Sequence, residues 1–200
     1  MYDLTVRVAG ILLGGGKSKR FGSNKLLERI DGRRLIDIAC ANFMDAGFEP
    51  VIFCGDAQPE DEWVICAPRG KWMLDTLRNG IGAAPEGPIA FAPADLPFLD
   101  PSLLKSLAAE FGRSGRGYLV PVYGGRGGHP AFARDPAAFL DPELRGGARV
   151  IWREAGADLL RYDVDSADIL YDIDMPEDLA AAGSTESRRA RLVERGDIPG

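Results

Sequence analysis

Histidine is almost missing: the 200 residues contain one, His129. A His-rich zinc site is therefore excluded. Cysteine is scarce too. Cys40, Cys54 and Cys66 are odd in number, and no two form a C-x-x-C pair. Their apolar contexts predict buried free thiols in a reducing cytoplasm. No apolar run approaches the roughly 18 residues that would span a bilayer, so no membrane segment is expected. The opening "MYDLTVRVAGILL" carries Asp3 and no basic leader, which argues against a signal peptide. A surplus of positive charge is also missing. Lys and Arg number 24 against 30 Asp and Glu, a net charge of −6, which argues against general nucleic-acid binding. Two catalytic signatures are absent. There is no G-x-S-x-G nucleophile elbow. A P-loop, G-x-x-x-x-G-K-[ST], would end at Gly16-Lys17-Ser18, but its first glycine should then stand at Ile11, and Gly10 is one residue early.

The chain instead alternates strand-like and helix-like segments. "LTVRVAGILL" reads as a buried strand ending in glycines, and "PVIFCG", "DEWVICA", "GPIAFAPADLPF", "GYLVPVYG", "LLRYDV" and "DILYDID" as further strands. Helical spacing predicts helices over 33–47 and 71–84. A third helix opens at Asp100-Pro101, and shorter ones lie near 136–140 and 148–155. "PEDLAAAG" reads as a terminal helix. This pattern predicts one α/β domain over residues 1–183, a mainly parallel sheet with helices on both faces in three layers. The charged "STESRRARLVERGDIPG" that follows, 184–200, reads as a tail or linker.

In such a sheet ligands bind at the carboxyl ends of strands, and the reactive residue types fall there. Gly14, Gly15 and Gly16 follow the first strand and let backbone amides approach a ligand. Ser18, Arg20 and Lys25 add a hydroxyl and charge suited to a triphosphate. Asp95 follows an apolar strand in "PADLPFLD", while Asp100 suits a helix cap. Asp172 and Asp174 lie two apart in "YDIDMPEDL", with Asp174 open to a capping role. Asp95 and Asp174 together would make a two-carboxylate Mg²⁺ site. His129 stands in the Gly-rich "YGGRGGHPAFA", where a base, an acceptor contact and a structural role are all open.

These residues match a known pattern. "LGGGKSKRFGSNKLL" (Leu13–Leu27) closely resembles the L-[AG]-[AG]-G-x-S-x-R-[MF]-G-x-x-K signature of nucleotidyltransferases with a GT-A-like Rossmann fold. The later blocks "WMLDTLRNGIGAA", "PADLPFLD", "GRGGHPAFA" and "YDIDMPEDL" follow in family order. Residues 5–182 thus resemble the molybdenum cofactor guanylyltransferases and cytidylyltransferases. The resemblance implies NMP transfer from an NTP to the phosphate of molybdopterin, with Mg²⁺ as cofactor. It implies nucleotide contacts from Leu13, Gly14, Gly15 and Gly16, and triphosphate handling by Ser18, Arg20 and Lys25. Asp95 and Asp174 would hold the metal, Asp172 being a further candidate, and His129 would face the acceptor. Arg20, Lys25 and Asp95 would carry catalysis. The partners it implies are these small molecules, together with molybdoenzymes or their chaperones, in the cytoplasm. Gly15 and Asn24 resemble the guanylyl branch and Gly128-His129-Pro130 the cytidylyl branch, so GTP is favoured narrowly over CTP. Three positions depart from the pattern: Gly14 where Ala is usual, Asp75 where a small residue is usual, and Met175 in place of Thr.

Overall fold

The computed structural model describes residues 7–15, 21 and 24–199. Its strands are β1 (Ala9–Leu13), β2 (Arg29–Ile30), β3 (Arg33–Arg34), β4 (Val51–Cys54), β5 (Ile65–Ala67), β6 (Ile89–Pro93), β7 (Tyr118–Tyr123), β8 (Arg126–Gly127), β9 (Ala131–Ala133) and β10 (Leu159–Asp163). The α-helices are α1 (Leu35–Asp45), α2 (Met73–Ala83), α3 (Pro101–Ser114), α4 (Ala137–Leu140), α5 (Ala148–Ala155), α6 (Pro176–Ala180) and α7 (Thr185–Glu194). The main sheet runs β10-β7-β9-β6-β1-β4-β5, with β8 on β7, and β2 and β3 form a separate ribbon. Strand β1 pairs in parallel with β4 and β6. The mainly parallel three-layer α/β fold is thus the one the sequence predicts. Strand β9 is antiparallel to both neighbours. It arises from "PAFA", inside a stretch that reads as a glycine-rich loop.

Alternation along the buried strands builds two cores, one on each face. Leu12, Phe53, Ala92 and Phe132 pack with Phe43 of α1 and Leu104 and Phe111 of α3. Ile11, Leu13, Cys54 and Phe91 pack with Leu77 of α2, Phe139 of α4 and Ile151 of α5. The helix ends follow local chemistry. The Asp100 carboxylate accepts from the amides of Ser102 and Leu103, Pro101 opens α3, and Gly115 closes it at φ +66°.

Three expectations are corrected. "DILYDID" is not a strand: Ala167–Leu170 forms a 3₁₀ turn, capped by Ser166, and the chain then crosses to Asp95. Residues 184–199 are not a free tail. Ser184 caps α7, and Leu192 and Ile198 are buried with Leu35, Tyr171 and Ile173 in a third cluster. Burying Leu192 alone is worth about 2 kcal/mol. Cys40 and Cys54 are buried, and burial pushes both thiols up to about 12, but Cys66 on edge strand β5 is exposed.

The glycine at position 14 has a packing cause. A Cβ there would lie 2.4 Å from the tip of the Phe53 ring, and one on Gly55 would lie 2.5 Å from the same atom. Phe53 is fully buried and fills the space that an alanine methyl would need. Gly14→Ala is therefore expected to destabilise by about 1–3 kcal/mol. Phe53→Leu costs stability alone, and the double variant recovers more than additivity allows. Urea unfolding of the four proteins checks this, and strict additivity would separate the two sites.

Candidate active site

Backbone hydrogen bonds hold three strand tips together. The Ala94 amide donates to the Leu13 carbonyl at 3.0 Å, and the Gly14 amide to the Cys54 carbonyl at 2.8 Å. The glycine loop thus leaves the sheet beside the segment that carries Asp95. Gly16, Ser18 and Arg20 lie outside the described residues. Lys25 opens a 3₁₀ turn capped by Asn24 and is buried. Its ammonium lies 2.6 Å from Asp95 Oδ2 and 2.7 Å from Asp174 Oδ1. Residues separated by up to 149 positions in sequence therefore converge on one charge. Burial acts against the Lys25 ammonium, yet the charge of Asp95 and hydrogen bonds to both carboxylates raise it above its ordinary value. Burial pushes the Asp95 carboxyl above the usual carboxylate range, while Lys25 draws it back. The net result is an ionised lysine shared between two carboxyl groups at the strand tips.

Asp95 Oδ1 is buried and has no hydrogen-bond donor among the described residues. A buried acceptor of that kind suits a cation. Among the described residues no three His, Cys, Asp or Glu side chains cluster to hold a metal. A cation held by Asp95 and Asp174 would thus draw its remaining ligands from substrate or solvent, which fits Mg²⁺ better than a closed protein cage. Asp172 is turned elsewhere: the Arg195 guanidinium donates to its Oδ1 at 2.5 Å and to its carbonyl at 3.0 Å.

The Asp172–Asp174 segment is fixed from two sides. The Ile173 amide donates to the Asp95 carbonyl at 2.9 Å. The fully buried Asp178 accepts from the amides of Asp174 and Met175 at 2.9 and 2.8 Å. Asp178 is in turn held by Arg191 at 2.8 Å and by Arg195 at 3.5 Å. Burial opposes its charge, but Arg191 and the two amides hold its carboxyl below the usual range. This network accounts for Met175. With no hydroxyl at that position, Asp178 supplies the helix cap from within α6. Asp75 does the same for α2, accepting from the Trp72 amide at 3.2 Å, so that departure is a cap as well.

None of Asp178, Arg191 or Arg195 stands out in the sequence reading. The available signal was the spacing of Arg188, Arg191 and Arg195 at i, i+3 and i+7, one face of a helix. Arg188 makes a buried bidentate pair with Asp168, at 2.7 and 2.8 Å, which fastens α7 to the preceding 3₁₀ turn.

His129 sits at the same edge of the sheet, two residues before β9. A Cβ on Gly128 would lie 2.5 Å from the Ile169 carbonyl, so glycine is required for the chain to pass. The His129 amide donates to that same carbonyl at 3.0 Å. Burial lowers the imidazole pKa to about 4, despite a hydrogen bond to the Phe91 backbone. The ring is therefore neutral near pH 7. Its ordinary value is 6.5. A group whose basic form is the one buried stabilises the fold fully above its unfolded pKa and loses that contribution as pH falls towards its folded pKa. His129 should accordingly cost about 2 kcal/mol of unfolding free energy between pH 8 and pH 5. His129→Gln should lose that part of the pH slope in urea titrations; an unchanged slope would assign it elsewhere.

A family model described as the MobA-like NTP transferase domain matches residues 10–158. The chain belongs to the MobA-like NTP transferase family. A "2-phospho-L-lactate guanylyltransferase" of Halomicrobium mukohataei is 30% identical over 167 residues, covering 78% of this chain and 75% of that protein. A "probable molybdenum cofactor guanylyltransferase" of Natranaerobius thermophilus is 25% identical over 131 residues, covering 61% of this chain and 63% of that protein. This chain thus matches less than two thirds of the latter's length. Among solved structures, Rv0371c of Mycobacterium tuberculosis H37Rv superposes with a TM-score of 0.71 at 19% identity, over 94% of this chain and 98% of that one. The family match ends at residue 158, so Asp172, Asp174, Asp178 and α7 all lie beyond it. Among the described residues no helix is long and apolar enough to cross a membrane.

Proposed function

We propose that the protein transfers the nucleoside monophosphate of an NTP, GTP in preference to CTP, to the phosphate of molybdopterin and releases pyrophosphate. The observation that carries this reading is Lys25 between Asp95 and Asp174, at strand tips beside a glycine loop. An oxygen of the acceptor phosphate attacks the α-phosphorus, and the bond from that phosphorus to the β-phosphate oxygen breaks. The acceptor is ionised near neutral pH, so no side chain need remove a proton. This agrees with a neutral, inward-set His129. The work left to the protein is to bring two anions together and to neutralise charge as it moves to pyrophosphate. Lys25 supplies one such charge, and Arg20 is assigned the same task by the family pattern. The glycines would bring backbone amides to the nucleotide. Asp95 and Asp174 would hold Mg²⁺, which when bound supplies Lewis-acid neutralisation of phosphate oxygens. A manganese complex of Rv0371c, similar in fold to this chain at a TM-score of 0.64 and 18% identity over 94% of this chain and 98% of that one, is consistent with a divalent ion.

Both relatives carry guanylyltransferase in their names, which supports GTP. So does Gly15: a Cβ there would press on Thr76 Oγ1 at 3.1 Å, leaving little room for alanine. The 30% identity to a 2-phospho-L-lactate guanylyltransferase favours one second reading, the same chemistry on a different phosphate acceptor. We place the enzyme in the cytoplasm, handing its product to molybdoenzymes or their chaperones. The deciding assay is pyrophosphate release with each of four NTPs against molybdopterin, 2-phospho-L-lactate and simpler sugar or polyol phosphates, with and without Mg²⁺. Release with GTP and molybdopterin supports the first reading. Release only with another acceptor transfers the assignment to that acceptor.

A further inference from the structure

A cavity of about 640 Å³ opens on the face of the sheet covered by α5. Its floor includes Phe91 of β6, and Trp152 of α5 stands in its wall, stacked on Phe91 at 6.3 Å and 19°. His129 lines it as well, and His129 Nδ1 is buried with no hydrogen-bond partner among the described residues. Three arginines, Arg126, Arg149 and Arg161, line the same space, and among the described residues no Asp or Glu does. In a protein of net charge −6 this concentration of positive charge is selective.

The three cations differ in how far they are already neutralised. Arg126 donates to the backbone carbonyl of Asp197 and lies 3.3 Å from its carboxylate. Arg161 donates to a neutral group, the Gly125 carbonyl, at 3.1 Å. Arg149 has no hydrogen-bond or ion-pair partner among the described residues. Guanidinium forks without carboxylates, facing a cavity with an aromatic wall, fit an anionic group carried on an apolar or planar body. The volume lies within the range of sites for drug-sized ligands. Phe91 stands four residues before Asp95, a span of at most about 14 Å of chain. A single acceptor can therefore place its reacting phosphate near Lys25 and its far end in the cavity.

We propose that this cavity binds the non-reacting end of the acceptor, and that Arg149 and Arg161 select acceptors carrying a second anionic group there. The inference rests on the transfer reading above and deepens it. The buried Nδ1 of His129 would accept from an N–H or O–H of the same molecule.

The test uses Arg149→Ala/Arg161→Ala, two exposed positions outside the catalytic set, with pyrophosphate release measured against acceptor and against GTP. The expected result is an acceptor KM raised at least about tenfold, with the GTP KM and saturating kcat within about twofold of wild type. An unchanged acceptor KM overturns the proposal. So does an equal rise in the GTP KM, which would give the cavity to the nucleotide. If the wild-type protein turns over no acceptor, the transfer reading fails. The cavity is then judged by titrating molybdopterin against Trp152 fluorescence in a Trp63→Phe/Trp72→Phe background. Saturable binding that the double variant weakens at least about tenfold keeps the anion site. Absence of binding, or binding the variant leaves unchanged, overturns it.

Discussion

Lys25→Ala should lower pyrophosphate release by about 10²- to 10³-fold, the usual cost of losing one preorganised charge at a phosphoryl centre. The effect on stability should separate the structural and catalytic roles of the lysine. In the native site one ammonium is shared between two carboxyl groups, one of which has a buried oxygen. Removing it leaves Asp95 buried without its cation, and breaking a buried pair of this kind costs about 3–5 kcal/mol. Burial already pushes Asp95 upward, so in the variant Asp95 should take up a proton at a higher pH than before. The loss of stability should then be greatest at alkaline pH and shrink as pH falls. Asp95→Asn in the same background removes the stranded charge. The double variant should regain most of the stability and none of the activity. Urea unfolding at pH 6 and pH 8, with turnover of the four proteins, tests both halves. Turnover of Lys25→Ala equal to wild type would remove the lysine from the mechanism. Activity returning with stability in the double variant would assign Lys25 a structural role only.

The second large effect lies outside the reacting groups. Asp178→Ala should cost about 3–5 kcal/mol, because it breaks the Arg191 pair and leaves two backbone amides without their acceptor at a fully buried position. A loss of that size removes much of the stability of a typical domain, so Arg191→Ala is the more informative change. Arg191 is partly exposed and holds only one oxygen of Asp178. Loss of a group that orients a ligand-bearing residue typically costs about 10- to 100-fold in activity or metal affinity. Arg191→Ala should therefore weaken Mn²⁺ binding and turnover in that range while the equilibrium affinity for GTP measured without metal stays level. Arg191→Lys should recover part of the loss. If Arg191→Ala unfolds more easily yet binds Mn²⁺ as wild type does, α7 stabilises the domain without positioning Asp174.

Much of the site was legible along the chain because its parts are local. Glycines after an apolar strand, a carboxylate at the end of another and a capped helix start are all set by neighbouring residues. Lys25, Asp95 and Asp174 could be picked out on that basis, and the structure brings all three together. Other features were hidden because their cause lies in distant partners. Gly14 looks like added freedom until Phe53 is seen in the space its methyl would take. Met175 and Asp75 look like losses until the caps from Asp178 and Asp75 are in place. The segment after residue 183 is rich in charge, and charge alone reads as solvated surface. Its arginines are consumed by Asp168, Asp172 and Asp178, and Leu192 then has a core to enter.

The sequence by itself determined the α/β layering, the strand tips that bear glycine and aspartate, and the loop that tells this family from a P-loop. Those follow from the period of apolar residues and from short-range backbone chemistry. Only the tertiary structure decided that one lysine joins two carboxylates, that the C-terminal helix grips the Asp172–Asp174 segment, and that three arginines face one cavity. Charges attract across space rather than along the chain, so spacing in the sequence can set charges on one helix face but does not name the partners they meet.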